Sequence, residues 1–175
     1  MSLEVPWQVE AEWPPSWKSA HGELRRTAWR LDGLAMGSLR FAAESETGVV
    51  QVWADPAVAH DFLLGPDPLI ALDEARLGGA LDSARALLHP AQTLERLALE
   101  PVAERRTARG LLRSLIGKLR RNAEPPFAMQ ARADAYRFLV DPRHGTVVQA
   151  TGIADGSIIE RVELVGVHFV TREAA

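Results

Sequence analysis

Between residues 49 and 54 the apolar side chains alternate: Val50, Val52 and Ala54 interleave with Val49, Gln51 and Trp53. A period of two is that of a strand packed on one side. Two further runs, Leu24–Leu31 and Ser38–Ala43, also read as strands, and Asp32-Gly33, Gly37 and Thr47-Gly48 predict the turns that bound them. The C-terminal third carries the same grammar more plainly. Ala135–Val140 is a strand, Asp141–Gly145 a turn and Thr146–Ile153 the returning strand. Asp155-Gly156 predicts a tight hairpin, because both residues tolerate positive φ. In the last strand, Ser157–Val170, Val162 and Leu164 share one parity while Val167 and Phe169 share the other. One extra residue at Gly166 keeps all four on one face, so a bulge is expected there.

Elsewhere the period lengthens. Leu111, Leu112, Leu115, Ile116 and Leu119 occupy an arc of about 140° on an ideal helix, with Arg113, Lys118, Arg120 and Arg121 outside it. This periodicity predicts a helix, which Gly117 weakens without cancelling. Pro90–Leu99 reads as a second helix: Pro90 suits the first position, Leu94, Leu97 and Ala98 share a face, and Pro101 ends it. Residues 56–88 stay mixed. Phe62–Leu64 and Leu69–Leu72 fit strands around Gly65–Pro68, and Asp73–Leu88 fits a helix interrupted by Gly78-Gly79. Residues 1–22, with Pro6, Pro14, Pro15, Trp7, Trp13 and Trp17, predict an irregular arm packed on a single domain spanning 1–175.

Composition narrows the class. A chain of 175 residues with 47% hydrophobic and 25% charged residues is ordinary for one globular domain. It buries enough surface to need no disulfide or metal staple. The absence of cysteine removes disulfides, thiolate metal sites, catalytic cysteines and a lipid-modified cysteine anchor. No apolar run approaches the roughly 18 residues of a membrane span. The N-terminus lacks the basic-then-apolar pattern of a signal peptide. The expected location is therefore cytoplasmic, or outside the cell if a leader was trimmed. The net charge of −3 conceals an asymmetry. Residues 105–121 hold seven of the 20 basic residues and no acid, leaving 13 basic against 23 acidic elsewhere.

Two stretches resemble a known family. One runs Ala86-Leu-Leu-His-Pro-Ala-Gln-Thr-Leu-Glu-Arg-Leu-Ala-Leu-Glu-Pro-Val102. The other runs from Ala133 through Tyr136-Arg-Phe-Leu-Val-Asp-Pro-Arg-His-Gly145 and Asp155-Gly156 to Val167-His-Phe169. A helix, a strand ending Val-Asp-Pro-x-x-Gly, a hairpin and a closing strand resemble the LolA-like lipoprotein-carrier domains. That superfamily includes the LppX, LprG and RseB types, and the similarity is greatest to its uncharacterised actinobacterial branch. The resemblance implies an α+β fold: a curved antiparallel sheet, an open half-barrel, with a few helices across its concave face. It also implies that residues 107–121 form a strand, against the helical period. Relatives of this kind hold lipid or acylated protein between sheet and helices, and none is an enzyme.

Chemistry in the sequence is sparse. The five histidines are scattered, and His60-Asp61 with Asp55 is the nearest approach to a polar cluster, which reads more simply as a surface loop. His168, between Val167 and Phe169, is expected to point away from the core. Asp32, Asp55, Asp141 and Asp155 precede glycine or proline, or open a turn, so turn chemistry accounts for them. No nucleophile elbow or phosphate-binding loop is present. The expectation is a non-catalytic binding domain with no cofactor and no metal, accepting an apolar small molecule or lipid. Its candidate pocket residues are Trp29, Phe41, Trp53, Phe62, Leu94, Leu97, Tyr136 and Phe138; core packing explains Trp29 and Trp53 equally well. The alternative is a protein–protein or regulatory module. It would meet an acidic partner, or a second copy, through Arg113, Lys118, Arg120 and Arg121. Nucleic acid is not expected, since residues 105–121 lack stacking aromatics and the chain as a whole is acidic.

Overall fold

A computed structural model describes residues 15–30, 33–53, 74–107 and 110–173. The chain order is β1 (Trp17–Arg30), β2 (Gly33–Glu44), β3 (Val49–Trp53), α1 (Glu74–Leu88), α2 (Ala91–Glu95), β4 (Leu97–Thr107), β5 (Gly110–Leu119), a 3-10 turn (Pro126–Ala128), β6 (Ala135–Asp141), β7 (Thr146–Ala154) and β8 (Ser157–Thr171). The eight strands form one antiparallel sheet in the order β3-β2-β1-β8-β7-β6-β5-β4. It does not close: β3 and β4 are its edges, and the last strand of the chain lies in the middle, between β1 and β7. An α+β fold with an open, curved antiparallel sheet is what the strand grammar and the LolA-like resemblance both implied.

Alternation assigns the two faces. Leu24, Leu39, Phe41, Leu115, Phe138 and Leu164 point inward and are almost fully buried. The helices cover this inner face. In α1 the buried residues Ala80, Ser83, Ala84, Leu87 and Leu88 recur at helical spacing, and their small members let the helix lie close on the sheet. Ser83 Oγ donates to the carbonyl of Phe127 at 2.7 Å, tying α1 to the 3-10 turn. Phe127 and Ala128 there adopt φ of 57° and 53°. Buried Phe127 sets its ring edge-on to Phe138, with centroids 5.3 Å apart. That packing holds a backbone conformation that L residues seldom adopt.

Several expectations hold in detail. Asp155 and Gly156 both take positive φ, 49° and 74°, in the β7–β8 hairpin. At the predicted bulge, His21 pairs with His168 and Glu23 with Val165, so Gly166 and Val167 together oppose the single residue Gly22. Gly166 has a φ of +59°. The displaced Val167 and Phe169 pack on the same core as Val162 and Leu164.

Others are corrected. Residues 110–119 are strand β5, paired with β4 and β6, and not the helix their period suggested. Leu112 and Leu115 are both buried although they face opposite sides, so the apolar residues of this strand do not follow a period of two. Gly117, read as a blemish in a helix, is a point of close approach instead. A Cβ there would meet Leu99 Cδ2 at 2.6 Å and Leu97 Cβ at 3.3 Å. The helix expected over Pro90–Leu99 stops at Glu95, since Leu97 and Leu99 pair with Leu119 and Gly117. Pro101 is tolerated because β4 is an edge strand. The irregular arm gives way to strand at Trp17, well before residue 22, and Gly37 lies inside β2 without breaking it. Glu74–Leu88 resolves as helix in spite of Gly78-Gly79. The strands considered at Phe62–Leu64 and Leu69–Leu72 lie outside the described residues.

Candidate functional site

Among the described residues, a cleft arises where two neighbouring strands part. β7 pairs with β8 only from Gln149↔Glu163 to Ala154↔Ser157, whereas β8 continues beside β1 as far as Thr171. Against β6, Leu139 pairs with Gln149 and Val140 with Val147, so Val148 is an extra residue that bends β7. With the bulge at Gly166, both strands are deformed at the point of separation. No strand pairs with this side of β8 beyond Glu163 among the described residues, so its peptide groups border the gap.

The result is a cleft of about 760 Å³. Its apolar lining comes from Leu111, Leu112, Leu139, Val148, Val167 and Phe169, and Leu164 of the core lies at its base. Gln149, Glu163 and His168 supply polar groups along it. The β6–β7 turn closes the far end. His144 stacks on Phe169 with ring centroids 4.0 Å apart, and its Nδ1 lies 2.7 Å from Asp141 Oδ2. Asp141 Oδ1 accepts the N–H of Arg143, and Ser16 Oγ donates to the Arg143 carbonyl at 2.6 Å. Asp141 is thus a turn-forming residue, as expected from sequence, and it also holds the histidine that caps the cleft. His168 is exposed on the outer face, where it stacks on His21 at 5.2 Å.

A second polar feature is enclosed. Glu160 of β8 is 2% exposed on the inner face, where its Oε2 accepts the N–H groups of Gln130 and Ala131. Burial raises its pKa above the ordinary 4.5, against the opposing pull of the two amides and of Arg26. Tyr136 Oη accepts the N–H of Ala133 nearby. Burial first, with Glu160 adding, raises the phenol's pKa. These groups pin the segment after the 3-10 turn across the sheet. Among the described residues no three His, Cys, Asp or Glu side chains gather as a metal site. None of the described helices is long and apolar enough to cross a membrane.

The sequence-derived candidates separate into groups. Phe41, Leu94, Leu97, Tyr136 and Phe138 come together in the core at 0–3% exposure. Trp29 and Trp53 lie on the outer face, 40% and 48% exposed, and line no space with those five. Phe62, like His60, Asp61 and Asp55, lies outside the described residues. The basic set is also divided. A helix would have put Arg113 and Arg120 on one side, but in extended chain they are about 23 Å apart. Arg113 is buried, while Lys118, Arg120 and Arg121 are exposed or nearly so at the far end of β5. The cleft residues were not picked out from the sequence. Their one legible trace was the parity change at Gly166; the offset at Val148 has no counterpart in the apolar pattern.

No protein-family model and no curated sequence matches the chain. Among solved structures it is similar to an uncharacterized conserved protein from Thermus thermophilus, at a TM-score of 0.51 and 10% identity over 95% of this chain and 87% of that one. That likeness is one of fold. MucB aligns at a TM-score of 0.47 and 14% identity, over 97% of this chain and 59% of MucB. A Vibrio parahaemolyticus domain described as an outer membrane lipoprotein-sorting protein aligns at 0.37 and 7% identity, over 94% and 89%.

Proposed function

We propose that this chain is a non-catalytic binding domain that takes an apolar or lipid-like ligand into the parting between β7 and β8. The observation that carries the reading is the cleft of about 760 Å³, apolar along its walls and open to core residue Leu164 at its base. Its size lies within the range usual for small-molecule sites, and Asp141, Arg143, His144, Gln149, Glu163 and His168 supply polar groups that can orient a ligand. A ligand in the parting covers the unpaired side of β8 and offers its polar end to His168, Glu163 or the free peptide groups.

Native mass spectrometry of freshly purified protein, followed by solvent extraction, tests for a retained ligand. Titration with N-phenyl-1-naphthylamine then locates the site. Saturable fluorescence enhancement is expected, and Val148→Trp, which fills the cleft, should reduce it at least tenfold. A protein that neither retains an apolar molecule nor enhances the probe overturns the reading. Enhancement that survives Val148→Trp moves the ligand out of the parting.

A further inference from the structure

The outer face holds a second, smaller hollow of about 410 Å³ with a different chemistry. Three arginines from three strands surround it: Arg105 of β4, Arg137 of β6 and Arg161 of β8. Its floor carries Ser114, Gln149 and Thr151, and no described carboxylate lines it. In register, Thr151 sits directly between Arg137 and Arg161, one strand from each, so the two stems rise about 10 Å apart across it.

None of the three guanidinium groups makes an ion pair with a described residue. The chain has 23 acidic residues, more than enough to supply partners, yet like charges converge here. Ser114 and Thr151 are 8% and 4% exposed, and neither hydroxyl bonds to a described group although both face the hollow. The two hydroxyls stay reachable from the hollow, and Arg105 and Arg137 are exposed with Arg161 half-buried, so all five side chains keep donors free for a ligand. An oxyanion between them accepts from hydroxyls and arginines alike.

Arg161 is also held in advance. Its Cζ lies 5.5 Å from the Trp29 ring centroid, and its Nε is buried with no hydrogen-bond partner. The cation–π contact fixes the stem and leaves the terminal N–H groups for a ligand. Half-exposed Trp29 thereby acquires a role as a positioning residue.

We infer that this hollow binds a phosphate group, which Arg105, Arg137 and Arg161 approach from three strands over the hydroxyls of Ser114 and Thr151. Donors converging from separate directions suit a tetrahedral oxyanion better than the single plane of a carboxylate. The volume exceeds that of bare phosphate, so the group belongs to a phosphate ester. The ester is either a soluble molecule or a lipid headgroup. The inference does not depend on the cleft reading: the two hollows share Leu139 and Gln149, but none of the three arginines lines the cleft.

Calorimetric titration with glycerol 3-phosphate and co-sedimentation with phosphatidylcholine vesicles, with and without phosphatidic acid, separate the two sources. The variants are Arg137→Gln, Arg161→Gln and Arg161→Lys. Arg96→Gln, at an exposed residue after α2, controls for net charge. Saturable glycerol 3-phosphate binding is expected, at least tenfold weaker in both Gln variants, weakened in Arg161→Lys and unchanged in Arg96→Gln. The same variant pattern confined to phosphatidic-acid vesicles assigns the phosphate to a headgroup. Absence of binding in both arms overturns the site, as does binding that the hollow variants leave intact or that Arg96→Gln weakens equally. Thermal melting of each variant confirms that it is folded.

Discussion

The two faces of the sheet are built from alternate residues of the same strands, yet they differ in almost every physical respect. The inner face carries Leu24, Leu39, Phe41, Leu115, Tyr136 and Phe138 at no more than 1% exposure, under α1 and the 3-10 turn. The outer face leaves Trp29, Leu34, Met36, Val49 and Trp53 between 40% and 56% exposed, on the side that also carries Arg137 and Arg161, neither of which makes an ion pair with a described residue. Hydrophobicity alone does not sort them, because Trp29 and Trp53 lie outside while Ala20, Ala35 and Ala43 lie inside. Parity does. Trp29 shares its side of β1 with Glu23 and Arg25, and Trp53 shares its side of β3 with Gln51, so burying either would bury polar neighbours too. The inner face supplies stability, and the arginine hollow belongs to the outer one.

The comparison breaks most visibly if the faces respond alike to truncation. Phe138→Ala, at a fully buried ring, is expected to cost about 3–5 kcal/mol in urea unfolding. Trp53→Ala on the outer face should cost under about 1 kcal/mol, as exposed positions usually do. Similar losses at the two would mean that something covers the outer face.

A smaller effect is expected at the bulge that brings Val167 and Phe169 inward. A Cβ at Gly166 meets nothing within 4 Å, so Gly166→Ala introduces no clash. It forces an L residue to a φ of +59°, which costs about 1–2 kcal/mol. A neutral result in chemical unfolding would show that the bulge relaxes freely.

Two buried groups separate the inner face by pH. Glu160 has a folded pKa above its ordinary 4.5, so the native state holds its proton more tightly than the unfolded chain does. Stability from this group is highest below pH 4.5 and falls as pH rises through the folded pKa, by at most about 1.4 kcal/mol per pH unit. His89, packed on Trp17, has its pKa lowered from 6.5 by burial and acts in the opposite sense. Its contribution is complete above pH 6.5 and declines as pH falls toward the folded pKa. Glu160→Gln should remove the first dependence and leave the second, as followed by melting temperature between pH 4 and 8. An unchanged profile would mean that the carboxylate is solvated.

The smallest expected effect lies on the outer face. Trp29→Leu removes the cation–π contact with Arg161, worth about 0.5–1 kcal/mol at an exposed site. A double-mutant cycle with Arg161→Gln measures it, and a coupling near zero would detach Trp29 from the arginine hollow.

Local chemistry was legible from the residues alone. The Asp155-Gly156 hairpin, the turn at Asp141, the alternation in β3 and the bulge at Gly166 each follow from backbone preference or parity over a few positions. Those constraints act between near neighbours, so they survive without knowledge of the fold. Residues 110–119 were decided only by tertiary structure. Apolar side chains on both faces of a strand imitate a helical arc, and Gly117 becomes intelligible only when Leu97 and Leu99 of β4 are laid against it. The same holds for both hollows. Arg105, Arg137 and Arg161 lie tens of residues apart, and strand order alone gathers them. The parting of β7 from β8 likewise depends on register offsets that no single strand records. Sequence determined which residues share a face; the packing of helices and the order of strands decided which face is buried and where it opens.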